Sequence, residues 1–347
     1  MSTFNILTEN EIFINKDYSC WNIPNEKTEE AVYSALKAGY RSIDSAAIYG
    51  NEVEVGRGIN KWLNEGNKRE DIFVTSKLWL NLKRYEDVPR AANKILTDLN
   101  IEYLDSLLIH WPGGALAAGE KRDGSAQIPT DQHGVPIRDS DPEANDVNTW
   151  SALEKLIDAG KARNIGISNF TVSEIEELLK TVKYKPAFLQ IELHPYLQQK
   201  KLVEYAQKQG MVVQAYSPFG NLNETYNQGD KSHLLVNDST LKEIASKYGI
   251  TVQGLIISFL IAKNITPLPK SSDPVRIKEN FDNVRQLEHA DVQKIESLDK
   301  HLRYNDCSEM IGYIFFRDEK DAKTIAYQSY EAIKQRAVST AKSAVGK

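Results

Sequence analysis

Short apolar stretches alternate with amphipathic helical patterns over most of the chain, and this alternation restricts the possible folds more than any other feature. A strand made almost entirely of apolar residues is buried on both faces, as in a parallel sheet covered by helices. Such βα units predict either a doubly wound sheet or a (β/α)8 barrel, and we favour the barrel. Seven strands are predicted, over residues 41–44, 72–77, 105–110, 163–167, 187–191, 211–215 and 265–268.

The helical segments show the expected periodicity and end signals. Residues 86–99 carry apolar side chains at helical spacing, which predicts one buried face. Thr171 with Glu174, and Thr240 with Glu243, have the spacing of a capping box and predict two helix starts. Four glycines follow helical patterns, as C-terminal caps do, and they are Gly39, Gly160, Gly210 and Gly249.

No position divides these units, so residues 1–347 are predicted to form one domain with a barrel core over about 15–300. Three segments stand outside the repeat. Residues 4–14 predict an N-terminal β-hairpin, and 113–148 form a long loop after the third predicted strand. Residues 307–347 form a C-terminal extension, with a helix-like pattern over 321–338.

Composition limits the partners. A net charge of −5 argues against nucleic acid or an anionic membrane as the main partner. Cys20 and Cys307 are too few for a disulfide scaffold, which favours a reducing compartment. Residues 1–10 have no signal-peptide pattern, and the most apolar stretch, 255–262, is too short to span a bilayer. We therefore expect a cytoplasmic protein without a membrane or nucleic-acid partner, either a monomer or a homodimer.

A nicotinamide cofactor in a doubly wound sheet would require a G-x-G-x-x-G turn after the first strand. The nearest string, Gly56-Arg57-Gly58, lies in a helical pattern and has Lys61 three positions further on. Cofactor phosphates would then have to bind elsewhere, and residues 268–272 with Arg276 offer cations and hydroxyls before a helix start. From the pattern alone, a phosphate site and a solvated loop with a capping serine are equally favoured.

Asp44, Lys77 and His110 each end a predicted strand, and Tyr49 lies five residues beyond Asp44. The carboxyl ends of barrel strands form the active-site rim, so these four side chains are predicted to be catalytic. Hydride addition to a carbonyl requires a proton, which Tyr49 would donate if Lys77 lowered its pKa. Asp44 would hold Lys77, and His110 would orient the carbonyl oxygen. Each residue alone is usually structural, but the four together favour catalysis.

With these residues in place, the chain resembles the aldo-keto reductase family over residues 5–306. That resemblance implies a (β/α)8 barrel that reduces carbonyls with NAD(P)H, Tyr49 being the acid and no metal taking part. Six motifs carry it, namely 39–46 (GYRSIDSA), 49–52 (YGNE), 74–79 (VTSKLW), 108–112 (LIHWP), 160–170 (GKARNIGISNF) and 269–271 (PKS).

The resemblance also implies an extended NADPH site along the rim, and it makes the 268–272 loop a phosphate site. Lys270 and Arg276 favour the 2′-phosphate of NADPH, while Glu224 leaves NADH possible. The implied ligands are Ser168, Asn169 and Gln190 at the carboxamide, Tyr216 on the ring, Ser217, Phe219, Gly220 and Leu222 over the pyrophosphate, Lys270, Ser271, Ser272 and Arg276 at the 2′-phosphate, and Glu279 and Asn280 at the adenine.

Within the family, the strings 190–199 (QIELHPYLQQ) and 298–306 (LDKHLRYND) are most similar to fungal xylose reductases. This implies reduction of an aldose or related sugar aldehyde to the alditol. The implied substrate-side residues are Trp21, Ile48, Trp111 and Asn305, with ordinary barrel packing as the alternative for the tryptophans.

The chain departs from these relatives at several rim positions. Residues 17–21 replace a glycine-rich first turn, Ile48 stands where xylose reductases have an aspartate, and Ser272 replaces an asparagine. Two alternatives therefore stay open. One is a uronate (D-galacturonate) reductase, in which Lys121, Arg122 and Arg138 would meet the carboxylate. The other is a cofactor-sensing subunit without catalysis, docked through the C-terminal extension.

Overall fold

The predicted strands and one further strand form a single parallel sheet in the computed structural model, which describes residues 17–119, 122–132, 134–220 and 234–320. Each strand pairs with the next in chain order. A hydrogen bond from Ser19 N to Pro269 O, 3.1 Å, links β1 to the chain just after β8 and confirms the barrel. The strands are β1 (Asp17–Ser19), β2 (Ser42–Asp44), β3 (Phe73–Leu78), β4 (Leu104–Ile109), β5 (Ala162–Ser168), β6 (Phe188–Glu192), β7 (Val212–Tyr216) and β8 (Thr266–Pro267).

Helices connect the strands and cover the sheet. Their apolar faces and the strands form one large core, and Phe73, Leu108 and Phe188 form a second, small cluster. The described helices are α1 (Asn25–Ala38), α2 (Glu52–Leu63), α3 (Val88–Leu99), α4 (Asp146–Asp158), α5 (Val172–Leu179), α6 (Lys200–Lys208), α7 (Ser239–Tyr248), α8 (Val252–Ala262), α9 (Pro274–Asp282), α10 (His289–Glu296) and α11 (Ser308–Ile311).

Strand β1 was not predicted, because Asp17 and Ser19 are polar and the strand has only three residues. Both belong to the face that looks into the barrel, since they are register partners of Ser42 and Asp44. Because β1 precedes them, the seven strands predicted from the sequence are β2 to β8. The long loop therefore follows β4 and ends where α4 begins, and the Lys270 loop follows β8 rather than a seventh strand.

The predicted helix signals are mostly confirmed. The six apolar side chains of α3 are all buried, and the Thr171–Glu174 capping box opens α5. The box predicted at Thr240 is wrong, because Asp238 caps α7 by accepting a hydrogen bond from Leu241 N at 3.0 Å. A carboxylate two residues earlier already satisfies the free N–H, so the helix begins before Thr240.

Gly56 and Gly58 lie inside α2, where they allow close helix packing rather than phosphate binding. A Cβ atom on Gly56 would approach Leu99 O to 2.4 Å, and one on Gly58 would approach Glu29 O to 2.7 Å. Neither backbone atom can move without disturbing its own helix. The two glycines are therefore explained by the close packing of α2 against α1 and α3, and they do not form a Rossmann turn.

The segment after α10 crosses toward the loop that follows β4. Phe315 and Phe316 are buried and contact the ring of Trp111, with ring centroids 4.7 and 5.7 Å away. The predicted hairpin over 4–14 and the helix-like pattern over 321–338 lie outside the described residues.

No single helix in the described ranges is long and apolar enough to cross a membrane. One bent pair, α7 with α8, meets that criterion by length and composition only, with 86° between the two helices.

Candidate active site

The four predicted catalytic side chains meet at the carboxyl end of the barrel. Lys77 Nζ lies 2.6 Å from Asp44 Oδ1, 2.8 Å from Ser45 O and 3.3 Å from Tyr49 OH. The ring of His110 stands edge-on to that of Tyr49, with centroids 5.9 Å apart. Three strand ends and the loop after β2 therefore bring an ammonium, a carboxylate, a phenol and an imidazole together.

Local structure explains the position of Tyr49. The chain leaves β2 and makes a short 3-10 turn over Ala47–Tyr49. Gly50 then adopts a φ of +67°, a left-handed conformation that glycine adopts without strain. This sharp turn lets α2 begin at Glu52 and leaves the Tyr49 side chain on the rim beside Lys77.

The Asp44–Lys77 ion pair is fully buried, with 1% and 0% of the side chains exposed. Burial raises the pKa of Asp44, while Lys77 and a hydrogen bond from Gln190 Nε2 to Asp44 Oδ2, 2.8 Å, oppose that rise. A buried pair of this kind keeps its geometry because separating the charges leaves one of them unpaired in a poorly solvated site. Lys77 is thereby fixed against Tyr49.

The electrostatics of Tyr49 differ from the expectation. Burial, and then the charge of Asp44, raise the pKa of Tyr49 well above its ordinary value, whereas Lys77 was expected to lower it. Desolvation of the phenolate outweighs the single nearby ammonium, itself neutralised by Asp44. Tyr49 therefore carries its proton at neutral pH, as a general acid must before it reacts.

His110 is neutral at this pH. Burial and then the positive charge of Lys77 lower its pKa well below the ordinary value. A neutral imidazole donates one hydrogen bond without adding a second cation beside Lys77. Its Nδ1 is buried and has no hydrogen-bond partner among the described residues.

The side chains predicted to hold a nicotinamide carboxamide lie next to this cluster. Asn169 Nδ2 donates to His110 O at 2.9 Å, and Tyr216 OH donates to Asn169 Oδ1 at 2.7 Å. Asn169 has a φ of +66°, so the chain turns sharply after β5 and directs the amide inward. Ser168 and Tyr216 end β5 and β7, and Gln190 lies in the middle of β6. Leu222 lies outside the described residues.

The predicted phosphate corner lies between β8 and α9. Arg276 Nε donates to Ser271 Oγ at 3.3 Å, and Tyr18 OH donates to Ser271 O at 2.5 Å. Partial burial and then the charge of Arg276 lower the pKa of Lys270. Lys270 precedes α9 and Arg276 lies in its first turn, where Asp273 Oδ2 is 3.7 Å from the guanidinium. Two cations at a helix N-terminus suit an anion such as a phosphate. Of the other predicted residues, Ser272 is partly exposed, Glu279 is exposed and Asn280 is buried.

Comparison with known proteins agrees with this geometry. A model of the aldo/keto reductase family matches residues 13–300. This chain belongs to the aldo/keto reductase family. It is 40% identical over 301 residues to the NAD(P)H-dependent D-xylose reductase I,II of Candida tropicalis, covering 83% of this chain and 90% of that enzyme. It is 41% identical over 303 residues to the NAD(P)H-dependent D-xylose reductase of Candida tenuis, with coverages of 83% and 90%.

The fold comparison leads to the same family. The aldose reductase structure from Schistosoma japonicum superposes with a TM-score of 0.78 at 35% identity, covering 88% of this chain and 95% of that one. The protein is therefore an aldo-keto reductase, an oxidoreductase enzyme built on a (β/α)8 barrel.

On the substrate side of this aldo-keto reductase, the predicted residues occupy different environments. Trp111 is buried against Phe315 and Phe316, so packing accounts for much of its ring, while Trp21 and Ile48 are partly exposed. Asn305 Nδ2 donates to Ser217 Oγ at 3.3 Å, and its backbone N donates to Glu192 Oε2 at 2.9 Å. The loop that carries Asn305 is thus fixed to the end of β6.

Two contributors were missed from the sequence. Trp79 stands edge-on to His110 at 5.1 Å, and its buried indole N–H has no partner in the described ranges. Glu192 accepts hydrogen bonds from Tyr304 N and Asn305 N and is paired with His194. Trp79 follows Lys77 by two residues, so the alternation of strand side chains was an available signal. Nothing in the sequence pattern indicated that Glu192 would meet residues 304–305.

Proposed function

We propose that this enzyme reduces an aldose or a related sugar aldehyde to the alditol with NADPH, with Tyr49 as the general acid. The observation that carries the proposal is the buried Asp44–Lys77 pair, whose ammonium lies 3.3 Å from Tyr49 OH. In a family of carbonyl reductases, this arrangement supplies the one group that hydride addition lacks, a proton donor held on the active-site rim.

The residues present fit a nicotinamide dinucleotide. Lys270 and Arg276 provide paired positive charge for the 2′-phosphate, and the amides of Asn169 and Gln190 provide donors and acceptors for the carboxamide. When bound, the reduced cofactor supplies the hydride for the carbonyl carbon. NADPH is the preferred form in this proposal, because a fixed cation pair suits a 2′-phosphate better than ribose hydroxyls do.

The protein side of the reaction is a single proton transfer. As the carbonyl oxygen gains negative charge, Tyr49 OH donates its proton to it and becomes a phenolate. The ammonium of Lys77, 3.3 Å from Tyr49 OH, stabilises that phenolate. His110, neutral and buried, donates to the same oxygen and holds the carbonyl in place.

A sugar substrate is supported by the polar groups near the rim. Asn305 is fixed through its backbone to Glu192, so its side-chain amide is in place for a sugar hydroxyl. The buried N–H of Trp79 offers a second donor. The two Candida relatives are named as D-xylose reductases, which supports an aldopentose as the first substrate to assay.

Replacing Tyr49 by phenylalanine tests the proposal. The variant keeps the ring but loses the acid, so kcat for D-xylose is expected to fall by about 10³-fold, within the range for general acid catalysis. NADPH binding, followed by quenching of protein fluorescence, is expected to change by less than about twofold, because the lost hydroxyl makes no phosphate or ribose contact. Tyr85→Phe, at an exposed tyrosine, is the matched control. A Tyr49→Phe enzyme with near-normal turnover refutes the assigned role.

The uronate alternative gains no support from the loop cations. Arg122 is paired with Asp87 and Glu86, and Arg138 stacks on the ring of Tyr313 at 5.3 Å. Arg138 also lines a cavity of about 480 Å³ whose wall does not include Tyr49, Lys77 or His110. Lys121 lies outside the described residues. Assays of D-xylose beside D-galacturonate distinguish the two, and a preference for the uronate would overturn the aldose assignment.

The cofactor-sensing alternative depends on a docking role for residues beyond 320, which the structure does not describe. Binding of NADPH without reduction of any aldehyde in a broad panel would favour it. A single-domain organisation, a monomeric or homodimeric state and a cytoplasmic location remain part of the proposal. Limited proteolysis, sedimentation analysis and cell fractionation test them in turn.

A further inference from the structure

A carboxyl group that the proposed mechanism does not use lies inside the barrel. Asp17, on β1, is 1% exposed. Gln214 Nε2 donates to its Oδ2 at 2.7 Å. Its other oxygen, Oδ1, meets no donor in hydrogen-bond geometry among the described residues, although the nearby Ser42 hydroxyl lowers the pKa of the carboxyl. A carboxyl buried with one full hydrogen bond is costly to keep.

Hydrogen bonds connect Asp17 to the catalytic ion pair. Gln214 Oε1 accepts from Gln190 Nε2 at 3.2 Å, and the same Nε2 donates to Asp44 Oδ2 at 2.8 Å. Asp44 then holds Lys77. The path Asp17, Gln214, Gln190, Asp44 therefore runs across the barrel interior from β1 through β7 and β6 to β2.

The acceptor at Asp17 fixes which group of each glutamine side chain donates and which accepts along this path. Asp17 Oδ2 accepts whether the carboxyl is ionised or carries its proton on Oδ1, so Gln214 presents its NH₂ to Asp17 and its carbonyl to Gln190. Gln190 must in turn present its NH₂, which has one hydrogen for Gln214 and one for Asp44. Without an acceptor at position 17, Gln214 has no reason to keep that orientation, and the donor that reaches Asp44 is no longer fixed.

We infer that Asp17 is a positioning residue for catalysis, which acts through Gln214 and Gln190 on the Asp44–Lys77 pair and so tunes the acidity of Tyr49. The inference rests on the proposed function of Tyr49 and adds a residue to which that function assigns no role. Asp17 touches neither substrate nor cofactor in this scheme.

The charge of Asp17 changes in the working pH range. Burial and then Asp44 raise its pKa, while the neighbouring Ser42, Lys77 and Gln214 lower it, with a balance at about 7. The titratable groups that face it are Asp44, Lys77 and the Cys20 thiol, whose pKa burial raises far above neutrality. When Asp17 ionises, it adds negative charge near Lys77 and disfavours the Tyr49 phenolate. Reduction is therefore expected to slow as the pH rises through 7.

The test compares the pH profiles of the wild-type enzyme and Asp17→Asn, which keeps the shape and an acceptor but cannot ionise. The measured quantity is the single-turnover rate of D-xylose reduction by enzyme preloaded with NADPH. The wild-type rate is expected to fall by about threefold from pH 6 to pH 8, which corresponds to half a pKa unit at Tyr49. The Asp17→Asn rate is expected to stay constant within about 1.5-fold over that range.

Glu174→Gln is the matched control. Burial also raises the pKa of Glu174, but the groups that act on this carboxyl are Thr171, Asp146 and Asp318, none of which belongs to the catalytic cluster. Glutamine also suits the capping box of α5, so this variant should keep the wild-type pH slope. Asp17→Gly removes the acceptor as well as the charge, so it should lower the single-turnover rate at every pH in addition to removing the slope.

A direct measurement separates this inference from the proposed function. Infrared difference spectra of wild-type against Asp17→Asn protein should show a carboxylic acid C=O band that titrates near pH 7. Identical pH slopes in wild type and both Asp17 variants, or no titrating band, would overturn the inference while leaving Tyr49 as the acid. An active Tyr49→Phe enzyme would overturn the proposed function, yet the band would still report the ionisation of Asp17.

Discussion

The catalytic cluster at the ends of β2 to β4 and the phosphate corner between β8 and α9 both contain lysine, but they hold it in opposite ways. Lys77 is completely buried, with three oxygen atoms within 3.3 Å. Lys270 is exposed, and its one described hydrogen bond is a long contact of 3.5 Å to Asn22 O. The first lysine has all of its hydrogen-bond partners within the protein, whereas the second has room for a further partner, for which we propose the cofactor phosphate.

This difference has a physical reason. Catalysis requires a proton donor and its stabilising cation at fixed distances, and a buried ion pair supplies that rigidity at the expense of desolvation. A cofactor that must enter and leave is better held by solvated cations. Their attraction for its phosphate is moderate, and water solvates them when the cofactor is absent. Substitutions should therefore affect rate and stability at the first site but mainly cofactor affinity at the second.

The largest effect is expected for Lys77→Met. It leaves the buried Asp44 without its partner, so the free energy of unfolding should fall by about 3–5 kcal/mol. Loss of the charge beside Tyr49 should lower kcat by about 10³-fold. Lys83→Met is the control, because Lys83 is equally buried and paired with Asp146 but has no contact with Tyr49. Chemical denaturation and steady-state kinetics would show similar destabilisation, with a large kcat loss only for Lys77.

Glu52→Gln is expected to change how stability depends on pH. Burial raises the pKa of Glu52 from 4.5 to about 7. The folded protein thus holds this proton more tightly than the unfolded chain, so the stabilisation is complete below pH 4.5 and is lost as the pH rises through 7. The shift corresponds to about 3 kcal/mol, which wild type should lose between pH 5 and 8 relative to Glu52→Gln. Equal pH slopes in urea denaturation would contradict this.

At the phosphate corner, Lys270→Met should raise KM for NADPH by about 10-fold to 100-fold, the value of one charge-assisted hydrogen bond. KM for NADH and kcat should change by less than about twofold, since neither depends on a 2′-phosphate. Lys278→Met on the following helix, α9, where the lysine pairs with Asp282, is the control. An equal rise in KM for NADPH and for NADH would show that Lys270 does not bind the 2′-phosphate.

The smallest effect is expected at the substrate rim. Ile48→Asp introduces a carboxylate next to Tyr49, where it can accept a sugar hydroxyl. One such hydrogen bond should lower KM for D-xylose by about threefold, with kcat nearly unchanged. Ile48→Asn, which offers a neutral acceptor, should give an intermediate value. An increase in KM for both variants would indicate that xylose does not approach this position.

The barrel and the catalytic cluster could be predicted because each depends on short-range patterns. Continuous apolar strands followed by amphipathic helices require a parallel sheet, and Asp44, Lys77 and His110 each stand where a strand ends. Strand β1 could not be predicted, since three residues with two inward polar side chains carry no apolar signal. The cap of α7 was misplaced for a similar reason, because Asp238 and Thr240 are both competent caps and only the chain path selects one.

The sequence by itself determined which chemical groups reach the rim, because the order of strands and the length of each βα loop are encoded locally. Only the tertiary structure decided their electrostatics. Tyr49 was expected to be acidified by Lys77, yet burial and Asp44 keep its proton in place. Asp17 becomes connected to Asp44 only because β1, β7, β6 and β2 face one barrel interior. Desolvation and hydrogen bonding depend on neighbours distant in sequence, and the closing of the barrel creates those neighbours.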